Sequence, residues 1–208
     1  LIETRTNNSN VPLRLAMGHF ATNHSHLNYY IDLTMTKHRL SEAKEVATQL
    51  CGNISQATVI DTILCLDGTA VLGTCVAEEL TKTGFCTINQ HQTIYVLEPE
   101  YNANSQIIFR DNIKSMISGK TVLILMASVT TGYTANRSIE AIHYYGGHVA
   151  GVAAIYRAVD EIAGYPVRSI YSVDDLPEYR SYDYRECPYC KAGQKIDALV
   201  NSFGFSAL

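Results

Sequence analysis

The 208-residue chain has no long apolar stretch. Its longest apolar runs, at 122–127 and 149–155, are far shorter than the roughly 20 residues that a membrane-spanning helix requires. The first residues also show no basic segment followed by an apolar one, which a signal peptide would need. We therefore expect no membrane partner and a cytoplasmic location.

The chain also lacks an excess of positive charge. Sixteen Lys and Arg against twenty Asp and Glu give a formal net charge of -4, whereas proteins that bind nucleic acids usually present a basic face. Charged residues make up only 17% of the chain and apolar residues 47%, a composition that argues against intrinsic disorder. The length suits one α/β domain, and we expect no nucleic-acid partner.

A disulfide framework is absent as well. Four of the six cysteines lie inside apolar segments and are expected to be small core residues: Cys51, Cys65, Cys75 and Cys86. The other two belong to the string Cys187-Pro188-Tyr189-Cys190. This string fits three alternatives, namely a surface turn with two thiols, a dithiol redox site, or half of a zinc site whose second pair a dimer could supply.

Apolar strands and amphipathic helices alternate along the chain. Buried strands are predicted at 58–66, 121–126, 149–156 and 168–173. The first helix places its apolar face at Ala43, Val46, Ala47 and Leu50. A short strand at 86–89 and a hairpin of 93–97 with 107–110 are also predicted. The alternation indicates an α/β fold with a doubly wound, mainly parallel sheet and flanking helices.

Two segments follow buried strands, at the sheet edge where such folds bind ligands. They are Asp67-Gly68-Thr69 and Thr130-Thr131-Gly132-Tyr133-Thr134. In the second segment, backbone N–H groups converge at a helix N-terminus and hydroxyl groups add donors, which is the arrangement of a phosphate-binding loop. The alternative is an ordinary turn in which a Thr caps the helix and Gly132 permits a positive φ.

The run 121–132, which ends in Thr130-Thr131-Gly132, resembles the phosphoribosyl pyrophosphate motif of the type I phosphoribosyltransferases. Further segments resemble the orotate branch of that family: Gly18-His19-Phe20 with 28–32, the loop 67–73, and 186–193. Together these segments extend over nearly the whole chain, in the family's order.

The resemblance implies one phosphoribosyltransferase-like domain over 1–208, with 1–40 as a small N-terminal hood. The tyrosine-rich segment 174–208 is predicted to be an irregular C-terminal tail. The implied ligand is phosphoribosyl pyrophosphate or a nucleoside monophosphate. Thr130, Thr131, Gly132, Tyr133 and Thr134 would bind its 5-phosphate, and Asp67, Gly68 and Thr69 would form the pyrophosphate loop. Mg²⁺ is expected if the protein is catalytic, and a homodimer is the expected assembly.

The sequence departs from the family pattern at the positions that carry the chemistry. Family members have two adjacent acids before Thr-Thr-Gly, and Met126 and Ala127 stand there instead. The mobile loop of the orotate branch is basic, whereas 97–104 holds two acids and no base. We therefore expect an orotate phosphoribosyltransferase-like protein whose transferase chemistry is weak or lost, with no assigned catalytic residue. The alternative is a non-catalytic sensor or regulatory subunit.

Two smaller signals leave alternatives open. His24 and His26 alternate on a predicted strand, so their side chains would lie on the same side of it. They could form a ligand pair for a metal or a phosphate, or they could belong to a half-exposed polar face. Asp67 could coordinate Mg²⁺ through water or could simply belong to an Asp-Gly turn.

Overall fold

The computed structural model describes residues 2–4, 10–54, 58–82, 89 and 93–208. The strands are β1 (Ile2–Thr4), β2 (Leu13–Ala21), β3 (His26–Asp32), β4 (Thr62–Cys65), β5 (Tyr95–Leu97), β6 (Glu100–Tyr101), β7 (Ile107–Ile108), β8 (Thr121–Val129), β9 (His148–Arg157), β10 (Glu161–Ile162), β11 (Tyr165–Ser172), β12 (Ser181–Tyr182), β13 (Ala198–Asn201) and β14 (Gly204–Ala207). The helices are α1 (Thr34–His38), α2 (Leu40–Asn53), α3 (Ala70–Thr81), α4 (Asp111–Lys114), α5 (Tyr133–Tyr144) and α6 (Pro188–Lys191), and a 3-10 turn covers Val173–Asp175.

The central sheet has the strand order β10-β11-β9-β8-β4-β5. All its neighbouring strands run parallel except the edge pair β10 and β11. This confirms the predicted mainly parallel, doubly wound sheet. The strands are continuously apolar because both faces are covered. Leu123 and Leu125 pack on the side of α2 and α3, whereas Val122 and Ile124 pack on the side of α5.

A second sheet, which forms the hood, has the order β12-β3-β2-β13-β14, with β1 also paired to β2. Its strands come from both ends of the chain. The segment 174–208, for which the sequence predicts an irregular tail, therefore contains β12, α6, β13 and β14. In β13, Ala198 and Val200 are buried and alternate with exposed residues. Because the exposed Leu199 is apolar as well, the sequence shows no alternation of apolar and polar residues here.

The predicted hairpin of 93–97 with 107–110 is wrong. β5 pairs in parallel with β4 and completes the edge of the central sheet, and β7 pairs with β6 instead. Residues 86–88 of the short strand predicted at 86–89 lie outside the described residues. Within the described part of the chain, no helix is long and apolar enough to cross a bilayer.

Candidate phosphate-binding cleft

A cleft of about 350 Å³ lies between the central sheet and the hood. One wall is formed at the carboxyl ends of β8 and β9, where Ser128, Thr130 and Tyr156 line it. The opposite wall comes from the hood, with Tyr29 of β3 and Asn201 of β13. The cleft therefore occupies the position at which open parallel sheets bind ligands.

The junction between β8 and α5 forms one end of this cleft. Gly132 stands at the N-cap of α5 with φ 76°, a left-handed conformation that favours glycine. No side chain caps α5, so the Thr cap of the alternative is wrong, whereas its positive φ at Gly132 is confirmed. The N–H groups in the first turn of a helix have no hydrogen-bond partner within the helix. They lie at the N-terminus, which is also the positive end of the helix dipole. Thr131, Tyr133 and Thr134 beside them are exposed.

The loop after β4 is the predicted pyrophosphate loop, and it forms a tight turn. Asp67 and Gly68 both have positive φ, of 58° and 70°. The Thr69 hydroxyl donates to the carbonyl oxygens of Leu66 at 2.7 Å and Leu125 at 3.1 Å. This hydroxyl is fully buried and already bonded, so Thr69 holds the loop against the sheet.

Asp67 lines the cleft, but its carboxyl group is turned to the protein. Burial raises its pKa, while Lys37, the Ala127 N–H and the Ser202 hydroxyl act in the opposite direction. The Ala127 N–H and the Ser202 hydroxyl thus bond to the carboxylate. Coordination of Mg²⁺ by Asp67 through water and a purely structural Asp-Gly turn both stay predictions.

Met126 and Ala127 lie on opposite faces of β8. Met126 lines the cleft and is 4% exposed, and it packs in the core on the side of α5. Ala127 packs in the core on the side of α2 and α3, and its backbone N–H bonds to the Asp67 carboxylate. The Met126 thioether is only a weak hydrogen-bond acceptor and the Ala127 methyl group is none, so the cleft floor at Met126 is apolar.

The Tyr156 hydroxyl is a polar group of the cleft that sequence reasoning missed. The residue is fully buried near the end of β9. Its hydroxyl has no hydrogen-bond partner, and among the described residues no other buried polar side-chain atom lacks one. Burial raises its pKa to about 12, so it is a neutral donor at physiological pH. An unpaired buried hydroxyl costs free energy, and Tyr156 is one of the residues that line the cleft.

The structure separates His24 from His26, so the predicted pair is wrong. The His24 ring lies 6.0 Å from the Tyr133 ring, centroid to centroid, at the phosphate-loop end of the cleft. His26 lies on β3 against His19, with ring centroids 5.0 Å apart. The two residues differ because His24 is in the turn before β3, where strand alternation does not apply.

Charges around the cleft are partly paired. Both acids of the predicted loop, Glu98 and Glu100, are present, but Glu100 forms a two-bond ion pair with Arg110 just beyond it. Arg137 of α5 lies over the Tyr133 ring, with 5.6 Å between its guanidinium carbon and the ring centroid. The loop 97–104 is therefore less negative in effect than its sequence suggests, and one cation stands beside the candidate phosphate loop.

Cys187 and Cys190 do not line the cleft. They lie beside His19 and His26 of the hood. The sequence showed the cysteine pair but not its two histidine neighbours. The CxxC string together with two histidines seven residues apart on a hairpin was the available signal.

Comparison with known proteins identifies the fold. No protein-family model matches the chain. An orotate phosphoribosyltransferase from Caldanaerobacter subterraneus subsp. tengcongensis is 35% identical over 77 residues, which are 36% of this chain and 38% of the relative. The match thus spans well under half the length of this curated relative.

Solved structures extend the similarity to most of the chain. A phosphoribosyltransferase from Corynebacterium diphtheriae has a TM-score of 0.54 at 20% identity and covers 78% of this chain and 90% of its own. The Mycobacterium tuberculosis H37Rv orotate phosphoribosyltransferase in complex with phosphoribosyl pyrophosphate has a TM-score of 0.50 at 19% identity, with coverages of 71% and 83%. The chain has the type I phosphoribosyltransferase fold. Within that class, its sequence similarity is to an orotate phosphoribosyltransferase.

Proposed function

We propose that the cleft binds the phosphoribosyl part of phosphoribosyl pyrophosphate or of a nucleoside monophosphate. The observation that carries the proposal is the N-terminus of α5, which has no side-chain cap and opens into the cleft behind a left-handed Gly132. Backbone N–H groups of Thr131, Tyr133 and Thr134 are suited to the oxygens of a 5-phosphate. The orotate phosphoribosyltransferase solved with phosphoribosyl pyrophosphate has the same fold, which supports this choice of ligand.

The transferase chemistry is proposed to be weak or lost. A ribose lying over Met126 would find a thioether and a buried backbone where hydroxyl groups need acceptors. Met126 and Ala127 therefore supply none of the transition-state charge stabilisation that usually dominates catalysis. The Tyr156 hydroxyl offers a single hydrogen bond in this region, which supports binding more than turnover.

The other features implied by the resemblance belong to the same proposal. If the protein is catalytic, Mg²⁺ is expected on the phosphate oxygens of the ligand, where Asp67 could reach it through water. A homodimer and a cytoplasmic location complete the proposal. The second candidate function, a sensor or regulatory subunit that binds the same ligands without turnover, is favoured by the apolar Met126.

The experiment measures binding and turnover separately. Phosphoribosyl pyrophosphate or uridine monophosphate at about 100 times its Kd should stabilise the protein by about 2.7 kcal/mol, seen as a rise in Tm. Orotate with phosphoribosyl pyrophosphate and Mg²⁺ should give little or no orotidine monophosphate. No rise in Tm with any of these ligands would contradict the binding proposal, and ordinary enzymatic turnover would contradict the loss of chemistry.

Two glycines that flank α5, Gly132 and Gly146, supply a test variant and a matched control for the phosphate loop. Gly132→Val places a Cβ 3.0 Å from Cγ1 of Ile162 at a positive φ, and it should abolish the ligand-induced rise in Tm. Gly146→Val has the same backbone strain, with φ 77°, just beyond the other end of α5. It should lower the stability of the apoprotein but leave the ligand effect intact. Equal ligand effects in the two variants would exclude the loop as the phosphate site.

A further inference from the structure

Four potential metal ligands converge where the C-terminal segment meets the hood. His19 lies on β2, His26 begins β3, and Cys187 and Cys190 flank the start of α6. One ligand atom from each residue lies within 4.8 Å of all the others. Among the residues that the structure describes, no other group of three or more His, Cys, Asp or Glu residues brings its ligand atoms this close together. It lies outside the phosphate cleft and has no role in the function proposed above.

Four of the six separations between the ligand atoms lie near those of a tetrahedral zinc site, and the other two are under 4.8 Å. His19 Nε2 lies 3.0 Å from His26 Nδ1 and 3.5 Å from Cys187 Sγ. Cys190 Sγ lies 3.3 Å from His26 Nδ1 and 3.7 Å from His19 Nε2. With Zn–N near 2.0–2.1 Å and Zn–S near 2.3 Å, a tetrahedron places its ligand atoms about 3.3–3.8 Å apart. The four measured separations differ from these values by at most a few tenths of an ångström, so a zinc ion can be placed between the atoms with small side-chain movements.

Hydrogen bonds orient His19 for this role. Its Nδ1 lies 3.1 Å from the carbonyl oxygen of Gln194 and 3.2 Å from that of Lys195. Carbonyl groups only accept, so Nδ1 carries the proton and Nε2 presents its lone pair to the cluster. A backbone carbonyl behind a ligating imidazole is a common feature of protein zinc sites. His19 and Cys187 are fully buried, and the Tyr189 ring packs 5.3 Å from the His19 ring.

We propose that His19, His26, Cys187 and Cys190 bind one zinc ion in a structural Cys₂His₂ site. Two nitrogen and two sulfur ligands from one chain complete the tetrahedron, so no second subunit is needed. Four protein ligands leave no open position for water or substrate, which distinguishes this site from a catalytic one. The alternatives of a thiol turn and of a redox pair do not explain why two imidazoles face the thiols.

The ion would fasten the C-terminal segment to the hood at the place where that segment enters the sheet. Asp197 follows the cluster and bonds to His19 in both directions, through its carboxylate at 2.7 Å and its backbone N–H at 2.8 Å. β13 begins at the next residue, and its Val200 and Asn201 line the cleft. Loss of the ion should therefore loosen one wall of the cleft as well as lower stability.

The test begins with untagged protein purified without added zinc and without chelators. Elemental analysis should find zinc at close to one ion per chain. Replacement of zinc by Co²⁺ should give the visible absorption of tetrahedral cobalt together with the charge-transfer bands of cobalt bound to thiolates. Removal of the ion with a chelator should lower Tm, and added zinc should restore it.

Variants with matched controls identify the ligands. Cys190→Ser and His26→Ala should each weaken zinc binding at least about 100-fold, because direct ligands matter more than the outer-shell groups that cost 10–100-fold. Cys75→Ser and His148→Ala change the same residue types outside the cluster and should retain the metal. If Cys190→Ser fails to fold, Cys190→His keeps a zinc ligand at the position and should still give a tetrahedral cobalt spectrum without one of its thiolate bands.

Three results would overturn the proposal. The first is protein that contains neither zinc nor cobalt after exposure to either ion. The second is metal held equally by the variants and the controls, which would place it elsewhere. The third is a Cys187–Cys190 disulfide in protein prepared under reducing conditions, shown by mass spectrometry. The metal content does not depend on ligand binding in the cleft, so the two proposals can fail separately.

Discussion

The Lys37 ammonium group donates a hydrogen bond of 2.8 Å to the backbone carbonyl of Asp67. It donates a second bond, of 2.6 Å, to the carbonyl of Ser202 in the turn between β13 and β14. Lys37 is only 2% exposed, and burial lowers its pKa while Asp67 and Asp32 oppose that shift. One side chain thus connects α1, the loop after β4 and the C-terminal strands.

Replacing this cation with an isosteric apolar group should destabilise the protein. Lys37→Met leaves two carbonyl groups without their donor and removes the nearest positive charge from the buried Asp67, at a cost of about 1–3 kcal/mol. Urea unfolding at neutral pH measures the change. Lys44→Met is the control, since Lys44 is exposed and pairs only loosely with Glu78 at 3.4 Å, and it should stay within about 0.5 kcal/mol of the parent. Equal effects would show that Lys37 does not organise this junction.

Removing the Tyr156 hydroxyl should weaken ligand binding without harming the fold. In Tyr156→Phe an unpaired buried hydroxyl disappears, so the free energy of unfolding should be unchanged or slightly higher. Affinity for uridine monophosphate, measured by calorimetry, should fall about 3–10-fold if the hydroxyl bonds to the ligand, which corresponds to a typical hydrogen bond of about 1 kcal/mol.

The control is the cross-strand neighbour of Tyr156. Tyr171 pairs with Tyr156 in the register of β9 and β11, and its hydroxyl donates to the carbonyl of Val11. Tyr171→Phe should lower the stability by about 1–2 kcal/mol and leave the affinity unchanged, which is the opposite pattern. If both variants bind the nucleotide like the parent, Tyr156 does not face it.

Gly73 is where α3 touches the central sheet most closely. A Cβ at this position would lie 2.2 Å from Sγ of Cys65 and 3.2 Å from Cγ1 of Val96. Gly73→Ala should therefore cost about 1–3 kcal/mol through overpacking. Cys65→Ala removes the obstructing sulfur, so the double variant should lose much less stability than the two single changes added together. A double-mutant cycle from denaturant unfolding measures this coupling, and strict additivity would contradict the contact.

Acid should remove the stabilisation that Glu42 provides. Arg14 bonds to both Glu42 carboxylate oxygens, at 2.8 and 2.9 Å, and these bonds hold the pKa of Glu42 below its ordinary value of 4.5. A lowered folded-state pKa means that the contribution is complete above about pH 4.5 and is lost as the pH falls through the folded value. Glu42→Gln should cost about 1–2 kcal/mol at pH 7 and progressively less below pH 4.

The comparison is between unfolding curves of the parent and the variant across this pH range. Glu78→Gln, at an exposed pair with Lys44, should show no such pH-dependent difference. A gap between parent and Glu42→Gln that stays constant from pH 7 to pH 3 would contradict the linkage.

Features encoded locally were predictable from the sequence. The apolar face of α2, the continuous apolar run of β8 and the strand-turn-glycine-helix junction at Gly132 each lie within about a dozen residues, and the structure has them where the pattern indicated. Hydrophobic periodicity and turn-forming residues are patterns that extend over about this many residues. They therefore predict which residues pack on the two faces of the central sheet.

Features set by long-range pairing were not predictable. The expected hairpin of 93–97 with 107–110 was inferred from two apolar segments that are close in the sequence. In the structure, β5 instead forms its backbone hydrogen bonds with β4, at the edge of the parallel sheet. His19 approaches Cys187 only because β2, β3 and the C-terminal segment meet in one sheet, 168 residues apart along the chain. A local sequence pattern does not indicate which residue lies beside another at that distance along the chain. For the same reason it does not indicate that the Tyr156 hydroxyl has no hydrogen-bond partner.

The pairing of β13 with β2 has a consequence for the order in which the protein is made. A ribosome releases the β2–β3 hairpin early, whereas β13, which pairs with Phe20 and Ala21 at the end of β2, is synthesised long after it. Until β13 emerges, this part of β2 offers unpaired backbone groups to any other extended chain, as edge strands do. Newly made molecules should therefore depend most on chaperones before β13 emerges, and a ribosome stalled before β13 would hold a half-built cleft.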